Sequence, residues 1–442
     1  LGIKKEHGTM AHEASRLTLH IAYLKPTLCS AVVQIPADLV IPIYNETLLG
    51  QSKFAKAQGF GQGVVPLSYI EQNFKAGLLE HVQEVLFKHI VLSFFYREIR
   101  AKKLPLAGDP RLVDIILENG KDATFAFECS LYPIINLQNW KFFPFKAPKR
   151  KNYKDLDRQV ESFIKEERDA AENHNAAFVC IGDWVCFDTY LVDDHNKPLL
   201  PLHKERLWLK IGDEEADREF RDLFLGKKIG DTFYSDKECL QEFFSDHLNT
   251  QYNLCIEIVD ILSHQFFCFD LFRKHFRLKT NKEMLQKLVE VFSYRNDLSQ
   301  RRAMVEEAFK ILLTKHQVQI PNHLILRQLK QVLDEVQNNP DYNVYRVQPD
   351  FKERIQQLAE KQVKEIMIID QIAYQEDITV TDEDIKCYLN FTKRPRMKDF
   401  LYFQLPDTRI NGQELPVSLE LLKQYCLREK TLNYIIYHLT KK

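Results

Sequence analysis

At 442 residues the chain exceeds one ordinary hydrophobic core, and 45% apolar with 28% charged residues fits about two to four soluble, helix-rich domains. Lysine and arginine number 61 against 62 aspartates and glutamates, which excludes a global polyanion-binding character and leaves only local basic patches. From Leu17 to Ile35 the residues are β-friendly, with Leu19, Ile21 and Tyr23 and then Ala31-Val32-Val33-Gln34-Ile35. Pro36 opens a predicted helix from Ala37 to Phe54, which Pro42 can distort. Gly59-Phe60-Gly61-Gln62-Gly63-Val64-Val65-Pro66 then reads as a flexible tip carrying an aromatic side chain. Large apolar residues at loop tips are contact residues more often than packing residues. A second helix is predicted from Leu67 to about Arg100, with Ile70, Phe74, Leu78, Val82, Leu86 and Ile90 at helical period and stop signals at Pro105 and Gly108. Phe125, Phe127 and Cys129 alternate as a returning strand.

Trp140, Phe142, Phe143 and Phe145 are interleaved with Lys141, Lys146 and Lys149, ahead of the run Lys149-Arg150-Lys151 and Lys154. Such a mixture can track a single-stranded nucleic acid or form a linker with a solvated charged face, and the linker is the preferred reading. Leu156, Val160, Phe163 and Ile164 form a helical stripe. From Ala176 to Ser263 the pattern is strands and turns: Trp184 to Val192, a turn at Asp193 to Asn196, an alternating Leu207, Leu209 and Ile211, and a last strand around Cys255, Glu257 and Val259. Beyond His264 the chain is helical. Capping boxes are predicted at Thr280/Glu283, Asp350/Glu353 and Thr381/Asp384, and the first helix is expected to continue through Met304 to Leu313. Ile320-Pro321 opens another helix, and a last one follows Pro416.

Taken in order, these segments resemble trigger factor, the bacterial chaperone family that meets chains leaving the ribosome. The family's docking loop, Gly-Phe-Arg-x-Gly-Lys-x-Pro, is matched by Gly59, Phe60, Gly63 and Pro66, while its Arg and Lys fall on Gly61 and Val64. The resemblance implies docking on the large ribosomal subunit near the exit tunnel through these four residues, with Lys53 and Lys56 nearby. It also makes 176–263 an FKBP-like prolyl isomerase domain. The family's Gly-x-Lys-x-Gly-Glu-x-Phe is matched by Gly226, Lys228, Gly230 and Phe233, with Asp231 in place of Glu. Its pocket motif Ile-Pro-Gly-Phe falls on Asp217, Arg218, Glu219 and Phe220, a pocket aromatic falls on Thr189, and its Gly-x-x-Phe has no match near Lys197 to Leu200. Phe220 and Asp188 remain as the catalytic candidates. Two charges and a lost glycine would wet a pocket whose device is a dry aromatic wall, so at most slow isomerase activity is expected.

The expected architecture is multidomain α+β. Residues 1–9 read as an upstream extension before Met10, 10–131 as a ribosome-binding module with a long helical hairpin, and 132–175 as a linker. Residues 176–263 are the FKBP-like domain and 264–442 an all-α substrate-binding domain with arms. The resemblance implies that these arms hold nascent and unfolded polypeptides, with Met304, Leu324, Leu329, Ile366 and Met367 as candidate contacts. Apolar stripes at helical spacing are more often core. The nine cysteines show no Cys-x-x-Cys and no zinc-spaced histidine, and read as thiols of a reducing compartment. No metal or cofactor is expected, and no phosphate-binding Gly-x-x-x-x-Gly-Lys-Ser/Thr loop occurs, which argues against ATP use. No membrane span or secretory leader is legible, so a cytoplasmic location is expected.

Overall fold

The computed structural model describes residues 17–441 apart from 62, 134, 136, 148–154, 173–177, 201–203, 245–251, 294–298, 317–319 and 338–340. The 1–9 extension, Met10 and the basic run at 149–151 and 154 therefore lie outside the described residues. The architecture is multidomain α+β.

The first unit is an antiparallel sheet in the order β1-β2-β4-β3, made by β1 (Thr18–Lys25), β2 (Leu28–Ile35), β3 (Arg111–Ile116) and β4 (Ala123–Ser130). Strand alternation sends Cys29, Ala31, Val33 and Ile35 of β2, and Phe125, Phe127 and Cys129 of β4, into one buried face. Helices cover that face. The Ala37–Phe54 helix keeps its course through Pro42. The predicted second helix is broken at Phe74 into Leu67–Asn73 and Lys75–Leu86, then widens into a π turn at Phe87–Val91 before Leu92–Ala101. The π turn brings the Phe87 ring to 6.3 Å from Phe125 and 6.2 Å from Phe127.

The second sheet runs β11-β6-β5-β8-β7, from β5 (Trp184–Val192), β6 (Glu205–Lys210), β7 (Thr232–Ser235), β8 (Asn253–Leu262) and β11 (Val417–Ser418), while β9 (Arg409–Ile410) and β10 (Gln413–Glu414) pair with each other. Its two faces are both covered. Val185 and Phe187 face an apolar cluster with the Arg218–Phe224 helix that continues into the first unit. Trp184 and Cys186 face a second cluster made with the C-terminal helices.

The expected jutting hairpin is therefore folded back against the second sheet. Thr47 Oγ1 meets the Tyr252 hydroxyl at 2.5 Å and His81 stacks on the Tyr252 ring at 5.4 Å. Described residues of the 132–175 stretch are packed as well. Leu137 and Trp140 sit among Val305, Phe309, Ile369 and Leu432, and Trp140 Nε1 donates to Glu376 at 3.2 Å. The Leu156–Glu172 helix buries Leu156, Val160 and Ile164, and its Glu167 accepts Arg394 through two bonds of 2.6 and 2.9 Å.

In the helical region, Asn281–Ser293 and Ser299–Lys315 are helical, and the stretch on which the expected continuation depends, 294–298, lies outside the described residues. Thr280 and Glu283 cap each other reciprocally, as do Thr381 and Asp384. The Asp350 cap does not form, because its carboxylate pairs with Arg354 at 2.6 Å. Asn322–Gln337 and Phe351–Gln375 make a helical hairpin with a small core of Val332, Ile355 and Ala359, and Leu419–Thr440 closes the domain.

One contact between the first unit and the second sheet is pH-sensitive. His89 Nδ1 stands 3.9 Å from Glu205, beyond hydrogen-bond reach. Burial pushes the Glu205 carboxyl up to about 8, and burial with the Lys88 charge pushes His89 down to about 3, so both are uncharged at neutral pH. Glu205 keeps its proton in the folded chain up to about pH 8 but loses it above about 4.5 when unfolded. Its contribution is full below that lower value and is lost as pH rises through about 8. His89 acts with the opposite sign and only below about 6.5. Thermal stability is therefore expected to fall between about pH 6.5 and 8, and Glu205→Gln to flatten that slope and raise the melting temperature at the alkaline end. An unchanged slope in the variant would refute the assignment.

Candidate functional site

The glycine loop is built from two successive turns. Phe60 N–H donates to Ala57 O at 3.1 Å and Val64 N–H to Gly61 O at 3.3 Å. Each turn places a glycine at its third position with positive φ, Gly59 at 88° and Gly63 at 79°. Any other residue at these two positions would be strained. The first turn presents the Phe60 ring, 40% exposed, and Tyr69 supports it from behind at 5.2 Å between ring centroids. Val64 is 68% exposed, Val65 is buried, and Pro66 leads into the Leu67–Asn73 helix. Phe54, Leu67 and Phe74 are also substantially exposed around it, so the tip is an apolar patch. Lys56 is exposed, while Lys53 reaches Asp194 of the second sheet unit at 3.2 Å, which offsets its charge. The fold thus gathers Gly59, Phe60, Gly63 and Pro66 in one loop, with Lys53 and Lys56 at the end of the helix that leads into it.

The catalytic candidates are not brought together. Phe220 is 2% exposed and lies in the cluster with Val185, Phe187 and Phe224. Asp188 follows Phe187 on β5 and so points to the other face, where Arg206 binds its two oxygens at 2.7 and 3.0 Å. Phe220 and Asp188 thus lie on different faces of the sheet among the described residues. Beside the head of the Arg218–Phe224 helix lies a cavity of about 320 Å³, lined by Glu215, Arg218, Glu219, Glu238, Cys239 and Gln413 among others. That lining is charged and wet, the reverse of a dry aromatic wall. Thr189 is buried without an aromatic ring to offer.

The arm candidates are mostly packing residues. Met304 lies in the cluster around Phe309 and Leu432, and Leu324 and Met367 lie with Val363 and Tyr132 where the helical hairpin meets the first unit. Leu329 and Ile366 are half-buried beside these clusters. Their helical stripes are spent on the core. Exposed apolar groups of the hairpin instead include Val344, Tyr345, Val347 and Leu358 toward its far end, with Leu326 and Tyr374 nearer its base. The sequence pattern flags none of these over its neighbours, since periodicity marks the buried stripe. Among the described residues no helix is long and apolar enough to cross a membrane, and no group of three or more metal-ligating side chains is assembled.

Two family models match. One, described as bacterial trigger factor protein, covers residues 21–166, and the other, described as the C-terminus of that protein, covers 280–394. Among the similar curated proteins is the trigger factor of Geobacter metallireducens, 22% identical over 387 residues, spanning 83% of this chain and 86% of that protein. The Deinococcus deserti trigger factor is 25% identical over 375 residues, spanning 80% and 79%. That of Salinibacter ruber is 23% identical over 422 residues, spanning 90% and 88%. A solved structure described as "Promiscuous Substrate Recognition in Folding and Assembly Activities of the Trigger Factor Chaperone" is 15% identical, covering 95% of this chain and 100% of its own. Its TM-score of 0.35 is too low to bear on the fold.

Proposed function

We infer that this chain, which belongs to the trigger factor family, is a ribosome-associated chaperone that holds nascent and unfolded polypeptides without ATP. The observation that carries this reading is the glycine loop. Its positive-φ glycines display Phe60 at the tip of a module matched by the family, so the side chain is held outward where a docking residue belongs. The docking partner is the large ribosomal subunit near the exit tunnel, engaged by Phe60 and the apolar groups around it. Gly61 and Val64 bring no charge to the loop and Lys53 is offset by Asp194, so few counterions are released on docking.

Client chains are held by dispersed apolar surface at the end of the helical hairpin, where Val344, Tyr345, Val347 and Leu358 are exposed. Each contact contributes about 25 cal/mol per Å² of apolar area, which suits weak, reversible holding without fuel. The second sheet unit acts as a spacer rather than an efficient prolyl isomerase. Both faces of its sheet are covered, and the residues at the family's pocket positions are charged or buried.

Two assays separate this reading from a working isomerase that uses the arms to deliver substrate. Aggregation of a chemically denatured client is expected to be suppressed by the intact chain in nucleotide-free buffer. Replacing Val344, Tyr345 and Val347 by serine should remove most of that effect. Proline-limited refolding of a model substrate is expected to accelerate little. A refolding rate typical of active FKBP-type enzymes, with no aggregation suppression, would reverse the assignment.

A further inference from the structure

The two larger sheets have four outer edges, and three of them are blunted. β7 is four residues long and β11 two. β3 carries the exposed Arg111 and Asp114 and a register shift between Leu112 and Asp114. Short strands, edge charges and bulges are the means by which a sheet edge is kept from pairing with a further strand. From Thr18 to Tyr23, β1 has none of them. The strand is eight residues long, and Thr18 to Tyr23 pair with Gln34 to Cys29 of β2 in unbroken register. Thr18-Leu19-His20-Ile21-Ala22-Tyr23-Leu24 contains no aspartate, glutamate, lysine, arginine or proline. Among the described residues no strand adds to its outer side.

Alternate residues of an edge strand turn their N–H and C=O groups outward, so β1 offers a row of backbone donors and acceptors to an incoming strand. Its side chains are also incompletely covered. Leu19 and Ile21 stand opposite Val33 and Ala31 of β2, which are wholly enclosed. Both pack against the same apolar cluster, yet both remain half-buried at its rim. On the other face Thr18, His20 and Ala22 are exposed, and Tyr23 and Leu24 beyond them are 65% and 58% exposed. An added strand therefore meets backbone partners at its edge, an apolar rim on one face and solvent on the other. Apolar side chains at every second position suffice to fill such a place.

We propose that the outer edge of β1 binds extended segments of unfolded polypeptide by strand addition, taking those with an apolar side chain at every second residue. Main-chain hydrogen bonds supply the attraction, so the site reads an alternating pattern and not a particular sequence. The occupant is a single extended segment and not a second copy of this chain. Six residues paired edge to edge bury far less than the roughly 1,200 Å² at which stable protein interfaces begin. Weak, reversible addition is what holding without fuel requires. The chaperone reading supplies only the natural source of such segments, and binding of a free peptide is measured apart from aggregation suppression and ribosome docking, so either can fail alone.

The probe is a fluorescent peptide, Lys-Thr-Val-Thr-Val-Thr-Val-Lys, titrated into the full-length chain. At saturation it is expected to slow hydrogen exchange of amides within 18–23. Ile21→Lys, which turns a charge toward the incoming strand, is expected to weaken binding at least tenfold. The same peptide methylated on its backbone nitrogens keeps every side chain and should bind the unaltered chain at least tenfold more weakly, which decides the matter should Ile21→Lys fold poorly. Equal affinity of the plain and methylated peptides would overturn the proposal, as would slowed exchange confined to other segments. Protection of amides 18–23 that rises with protein concentration in the absence of peptide would assign the edge to a second copy and overturn it equally.

Discussion

Arg301→Met is expected to destabilise the helical domain by about 3–5 kcal/mol, because it strands a buried carboxylate. Arg301 and Glu429 are both almost wholly enclosed, and Arg301 Nη2 donates to Glu429 Oε1 at 3.0 Å and to Asn433 at 2.7 Å. The other oxygen of Glu429 accepts the N–H groups of Tyr402 and Phe403 at 3.1 and 3.0 Å. Burial pushes the Glu429 carboxyl up, and Arg301 and the two backbone donors oppose that rise. Without the guanidinium the carboxylate is left charged in a low dielectric or must take up a proton. Glu429→Gln keeps an acceptor for both backbone donors, so the double variant Arg301→Met with Glu429→Gln should lose less stability than Arg301→Met alone. Urea unfolding of the three variants measures this. A double variant showing the full sum of both single losses would mean the pair is not coupled.

Phe220→Ala is expected to cost about 3–5 kcal/mol in the second sheet unit, as for other fully buried phenylalanines. The ring is buried in the same apolar cluster as Val185, Phe187 and Phe224, and its loss leaves a cavity that the sheet, covered on both faces, closes poorly. The family resemblance alone assigns Phe220 to a catalytic pocket, and the two roles differ in what they predict. A pocket residue would leave the melting temperature nearly unchanged while any isomerase activity fell. A core residue lowers the melting temperature, with aggregation suppression retained below it. A thermally silent Phe220→Ala would return the residue to a catalytic role.

Local periodicity was a good guide wherever one face of an element is buried. The alternation of β2 and β4, the span of the Ala37–Phe54 helix and the Trp184–Val192 strand follow from apolar spacing and from Pro36. The capping boxes at Thr280 and Thr381 are legible because both partners are within one turn. The break at Phe74 leaves the apolar period intact and is invisible to it. Arg409 and Glu414, which bind Asp217, and Arg301, which binds Glu429, lie more than a hundred residues away in sequence, so no spacing rule joins them. The Asn411-Gly412 dipeptide was a usable hairpin signal, but its flanks are two polar residues on one side and Arg409-Ile410 on the other, without the apolar alternation that draws attention.

The candidate site divides in the same way. The glycine loop is readable because its chemistry is local: glycines for positive φ, an aromatic at the tip, a proline to start the next helix. The arm contacts are not readable, since the strongest apolar stripe marks Met304, Leu324 and Met367 for the interior and leaves Val344 and Val347 without a pattern.

The central claim is that an uncharged, glycine-bracketed Phe60 fastens this chain to ribosomes, and co-sedimentation across a salt series tests it most directly. The intact chain is expected to pellet with ribosomes with little loss of binding as salt rises from low to physiological levels, and Phe60→Ala to stay in the supernatant throughout. Pelleting of Phe60→Ala equal to that of the intact chain would contradict the account.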